Sequence, residues 1–135
     1  VMRIEAAPHT IELRITEIAP PGLPSAGDVR IEAKASINGF NGSCSCWIGA
    51  REFKAFAADA RSLFSSFQGS AHLQSKSPGE FSLTLSPANS RGYISAYVII
   101  SKRLPVPCAM SGAFDLELPV LAQLVSWSKA PQVHA

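Results

Sequence analysis

At 135 residues, the chain has the length of one domain, and a domain of that size folds without disulfides or a structural metal. Hydrophobic residues make up 47% and charged residues 16%, below the ~25% usual for charge, which argues against a disordered, highly charged chain. Lys and Arg number 12 against 10 Asp and Glu, a formal +2, and the only adjacent basic pair is Lys102-Arg103. The clustered basic stripe of a nucleic-acid binder is missing, so no nucleic-acid partner is expected.

No apolar run reaches the ~18 residues of a membrane span, and no charged segment followed by a long apolar stretch marks a secretion signal. The three cysteines, Cys44, Cys46 and Cys108, are too few and too odd in number for a disulfide framework. They fit reduced thiols. The expectation is a cytoplasmic protein with no membrane partner and no cofactor.

In chain order, residues 1–9 carry no clear signal and are assigned to a tail. Ile11, Leu13 and Ile15 alternate with Glu12, Arg14 and Thr16, a period of two that predicts a half-buried strand. Residues 19–27 hold three prolines and two glycines, which forbid regular structure and predict a mobile loop. Val29, Ile31, Ala33, Ala35 and Ile37 alternate with polar residues and predict a second strand. Asn38-Gly39 and Asn41-Gly42 tolerate the positive φ of tight turns, so Ser43 to Ile48 is predicted to return antiparallel.

Phe53, Phe56, Ala60, Leu63, Phe64 and Phe67 recur at helical spacing, and the period predicts a helix over about residues 51–67. Gly69 is placed to end it with a left-handed residue. Burying its four phenylalanines and one leucine amounts to roughly 10 kcal/mol at ~2 kcal/mol each, an upper bound.

Ala71 to Ser75 reads as a short strand, and Ser77-Pro78-Gly79 as a turn. Phe81, Leu83 and Leu85 predict the next strand. Asn89-Ser90-Arg91-Gly92 predicts a turn, Tyr93 to Ser101 a long strand, and Cys108 to Leu116 a last one. Pro119 suits the first turn of a helix. Leu118, Leu121, Leu124 and Val125 give a shorter helix an apolar face, ending about Lys129, with residues 130–135 as a second tail. The fold class is therefore α+β in a single domain, a largely antiparallel sheet of about seven strands with one central amphipathic helix and a shorter C-terminal helix.

Catalytic signals are thin. Cys44 and Cys46 point to one face of a strand, about 6.6 Å apart at Cα. Structural zinc wants a wider spacing and a second ligand pair, so core packing is the expectation and no metal is assigned. His9 and His134 lie near the chain ends, and His72 lies on a short strand. No Gly-x-Ser-x-Gly elbow accompanies them, and no glycine-rich phosphate loop is present. The carboxylates Glu52, Asp59, Glu80 and Asp115 read as solvated charge. No catalytic residue is assigned and the chain is expected not to be an enzyme.

One pattern is not accounted for by core packing alone. If Cys44, Cys46 and Ile48 face the helix, Trp47 faces away. If Ile94, Ala96, Val98 and Ile100 face it, Tyr93, Tyr97 and Ile99 face away. Either the C-terminal helix covers these side chains, or they form a partner-binding surface, since Trp and Tyr are favoured interface anchors.

A family resemblance covers about residues 11–124. It rests on Asn38-Gly39-Phe40-Asn41-Gly42, Trp47, the Phe53–Phe67 helix, Gly69-Ser70-Ala71-His72-Leu73, Ser77-Pro78-Gly79-Glu80-Phe81-Ser82-Leu83 and Arg91-Gly92-Tyr93. In these turn and core residues the chain resembles the WapI-type family of small bacterial immunity proteins. The resemblance implies a cytoplasmic, non-enzymatic protein that binds and blocks a toxin domain, and it transfers no binding residues. A small-ligand-binding domain, with its pocket between the sheet and the Pro-rich loop, is the alternative. An enzyme would need His72, Asp115 and a serine clustered in a cleft.

Overall fold

The computed structural model describes residues 1–89 and 91–133. The chain is α+β and every strand pairing is antiparallel. The elements are β1 (Met2–Ala6), β2 (His9–Ile18), β3 (Val29–Ile37), β4 (Phe40–Ile48), α1 (Ala50–Ser66), β5 (Ala71–Gln74), β6 (Phe81–Pro87), β7 (Ile94–Lys102), β8 (Cys108–Leu116) and α2 (Leu118–Lys129).

The eight strands form two sheets of four, β1-β2-β3-β4 and β5-β6-β7-β8, each a meander in chain order. The α+β class, the antiparallel pairing and both helices are as expected from sequence; among the described residues the strands number eight and divide between two sheets. Alternation identifies which face of a strand is buried but not what buries it, so two facing sheets and one sheet under a helix leave the same imprint. Here the inward residues of both sheets share one core with both helices. β8 packs across β1, β3 and β4, while β7 meets β4. The approach is close at Gly112, where an added Cβ would lie 3.1 Å from the Ile37 Cγ2 methyl.

The additional strand is β1, in the segment assigned to a tail. It buries only Met2 and Ile4 in the core, with Ala6 packed at the margin, too little for a strand on its own. It becomes one because it pairs with β2, Ile4 opposite Ile11 and Met2 opposite Leu13, and because α2 packs against it. His9 is likewise ordered: it accepts the Asn38 N–H at Nδ1, 3.1 Å away, and its ring centroid lies 5.6 Å from that of Phe114. His134 falls outside the described residues, as does Ser90 of the predicted turn. Residues 130–133 have no regular structure.

Helix α1 joins the sheets and packs on β5 and α2. Phe53, Phe56, Ala60 and Leu63 are buried as their spacing predicts. Phe64 is not: it is 42% exposed, because α1 has neighbours on one side only and position 64 lies at the margin of the stripe. Phe67, at φ 55, takes the left-handed cap and returns its N–H to the Leu63 carbonyl at 2.8 Å, two residues earlier than the glycine expected to end the helix.

The Pro/Gly loop is closed at its base. Ala19 N–H donates to the Asp28 carbonyl at 2.8 Å, and Gly27 N–H donates to the Ala19 carbonyl at 3.1 Å. Gly27 stands at φ 86 with the Ala50 methyl 3.3 Å from its missing Cβ, so the loop rests directly on the start of α1.

Candidate binding surface

The outward residues of the two sheets differ in chemistry. On the first sheet they carry charge in alternating sign. Arg3 bridges to Glu12 at 2.8 Å, Lys34 to Glu32 at 3.6 Å and Arg30 to Glu17 at 3.9 Å. Such a face is comfortably solvated.

The second sheet presents almost no charge. Strand register sets Gln74, Ser82, Ile99 and Ser111 in one row and His72, Thr84, Tyr97 and Ala113 in the next. Ser86, Ser95 and Asp115 make a third, and Asp115 is its single carboxylate. Tyr97, 43% exposed, stands near the middle of this floor of small side chains, with Ile99 half-buried beside it. Tyr93 is exposed two positions before the Ser95 row, and its carbonyl accepts the Ala88 N–H at 3.0 Å, which extends the β6–β7 ladder.

The four residues singled out from sequence thus separate. Tyr93, Tyr97 and Ile99 lie on one strand line of the second sheet. Trp47 is in β4 of the first sheet, half-buried. It lines a recess of about 420 Å³ with Asp28, Arg30, Ser45, Lys76 and Glu80, and none of the other three reaches that recess. Helix α2 packs on α1 and β1 and leaves Tyr97 open.

Beside Trp47 sits an ionic joint that sequence reading missed. Asp28 is buried, yet its two oxygens are both occupied: Oδ1 accepts the Ala50 N–H at 2.8 Å and Oδ2 meets Lys76 Nζ at 2.6 Å. The first bond satisfies a free amide at the start of α1, where Gly49 offers no side-chain cap. Lys76 N–H also donates to the Trp47 carbonyl at 2.8 Å. One carboxylate therefore ties β3, α1 and the β5–β6 turn together. No local signal marks Asp28, because its partners lie 22 and 48 residues away.

The Lys76 hydrogen bond, aided by the Ala50 amide, holds the Asp28 carboxyl below its ordinary value of 3.8. A depressed carboxyl contributes stability that is complete above its unfolded-state pKa and is lost as pH falls through the folded one. Denaturant midpoints are therefore expected to be level above pH 5, roughly a unit over the unfolded value, and to fall below 3.8, with Asp28→Asn flattening that fall. At neutral pH Asp28→Asn should cost less than about 1 kcal/mol, since Lys76 is half-exposed and the amide oxygen still caps α1. Asp28→Ala removes the cap as well and should cost about 2 kcal/mol.

The chemistry-bearing residues are dispersed. His72 is on β5 and Asp115 on β8, the two edge strands of the second sheet, and two residues apart in register, which separates them by about 16 Å. His72 Nδ1 instead pairs with Thr84 Oγ1 at 2.7 Å. Cys44 and Cys46 are buried in the core and Cys108 is exposed. A hydrogen bond to the Cys44 sulfur, together with burial, pushes the Cys46 thiol up. Among the described residues no three His, Cys, Asp or Glu side chains group as metal ligands, and no helix is long and apolar enough to cross a membrane.

Comparison of the chain with protein-family models, curated proteins and solved structures finds no match.

Proposed function

We propose that this protein is a non-enzymatic binding protein, an immunity factor that binds and neutralises a bacterial toxin domain in the cytoplasm, and that the outward face of β5–β8 is the surface it uses. The observation that carries the reading is the removal of charge from that one face around Tyr97 and Ile99. Interface centres are depleted in charge and enriched in Tyr. Small Ser, Thr and Ala side chains lose little rotamer entropy on contact, and a sheet holds them rigid.

Size sets a condition on it. Four strands of about seven residues span roughly 19 by 24 Å, or ~450 Å² in projection. A stable interface buries ~800 Å² per partner, so the flanking loops must join in. The β7–β8 loop is suited to this: Leu104 is 82% and Val106 64% exposed, next to Lys102 and Arg103. Neutralisation then follows from steric occlusion by a preformed surface, without covalent chemistry.

Co-expression with the toxin encoded by the neighbouring gene tests this. Growth rescue and co-purification of the two chains are expected; growth arrest with no recovered complex contradicts the proposal. The alternative of a small-ligand-binding domain, expected between the sheet and the Pro-rich loop, has the Trp47 recess at that place, where Ser25 of the loop meets Arg30, Ser45 and Trp47 of the first sheet.

A further inference from the structure

Away from both sheet faces, a groove of about 320 Å³ lies between α1 and α2, walled at one end by the Pro/Gly loop. Its floor is apolar: Phe53 and Ala57 from α1, Val125 from α2. Three cations stand on its rim, Lys54, Arg61 and Lys129. Lys54 and Arg61 are two helical turns apart on one stripe of α1, separated by alanines, which is why the groove is open there.

Among the described residues none of the three cations has an ion-pair partner. No carboxylate lies three or four positions from Lys54 or Arg61. Helix α2 contains no acidic residue at all. Among the described residues the ion pairs are Arg3–Glu12, Arg30–Glu17, Lys34–Glu32 and Lys76–Asp28, and none involves the groove. Glu52 and Asp59, the acids of α1, do not line it. An apolar trough with an uncompensated positive rim complements one kind of molecule, with an apolar body and an anionic head. The volume is at the low end for small-molecule sites, which suits a slender chain better than a fused ring system.

We infer that this groove binds a medium-length aliphatic carboxylate, its chain along Phe53, Ala57 and Val125 and its head among Lys54, Arg61 and Lys129. The inference stands apart from toxin binding, which uses another face of the molecule. The apolar contact supplies most of the affinity, and the cations select for the anion and make binding weaken with salt.

The test is an amide NMR titration of the full chain with dodecanoate below its micelle concentration. Saturable shifts confined to α1, α2 and the Pro/Gly loop are expected. Dodecanol and dodecyltrimethylammonium should bind at least tenfold more weakly. Lys54→Gln/Arg61→Gln, two exposed positions, should weaken dodecanoate binding at least tenfold with an unchanged melting temperature. Ala57→Leu, which fills the trough, should weaken binding of every probe. Shifts spread over the sheets, equal binding of the cationic amphiphile, or an unaffected double variant would each overturn the inference.

Discussion

Phe56→Ala is expected to lower the unfolding free energy by about 4 kcal/mol, read as a shift of the urea midpoint at unchanged slope. Phe56 is fully buried and is among the largest side chains so enclosed. It lies on the α1 face that packs against β5 and α2, where the two sheets and both helices meet in one core. Close packing on all sides prevents collapse into the space left behind, so the loss exceeds the transfer free energy of the ring. Phe64→Ala is the control. The residue type and the helix are the same, but at 42% exposure the cost should stay near 1 kcal/mol. Equal losses at the two positions would mean that α1 sits differently on the core.

The second large effect is on binding. Tyr97→Arg/Ile99→Arg should change stability by less than about 1 kcal/mol, because both side chains point outward from a strand whose inward residues Ala96, Val98 and Ile100 hold it in the core. On the proposed function, in which this face binds a toxin domain, affinity for that domain should fall at least 100-fold. Two anchors at the centre of an interface are worth about 2 kcal/mol each, and every 1.4 kcal/mol is tenfold in Kd. Buried against a partner, the introduced guanidinium groups also lose hydration without gaining a counter-charge. A matching pair of substitutions on the ion-paired face of the first sheet should leave affinity within about threefold.

Much of the fold is legible in local pattern. Period-two alternation gives the strands from Ile11 onward, Asn-Gly gives the β3–β4 turn, and Phe53, Phe56, Ala60 and Leu63 give α1. What escapes is non-local. β1 exists because β2 and α2 receive Met2 and Ile4. The division into two sheets depends on which buried face meets which. Asp28 acquires its role from residues far along the chain.

The candidate surface follows the same rule. Parity along β7 places Tyr93, Tyr97 and Ile99 outward, and they share one sheet. Parity also sets Trp47 outward, but from the other sheet, so sequence reading joins residues that the fold keeps apart. The charge-poor character of the second sheet's outward face is invisible along any single strand. It emerges only when β5, β6, β7 and β8 are laid side by side and their Ser, Thr and Ala residues fall into rows.

Calorimetric titration of the purified toxin domain into wild-type protein, Tyr97→Arg/Ile99→Arg and Trp47→Ala bears most directly on the central claim. Saturable one-to-one binding is expected for wild type and for Trp47→Ala, with at least a 100-fold loss for the double variant. Equal affinity in all three, or a loss confined to Trp47→Ala, would contradict the assignment of the β5–β8 face as the binding surface.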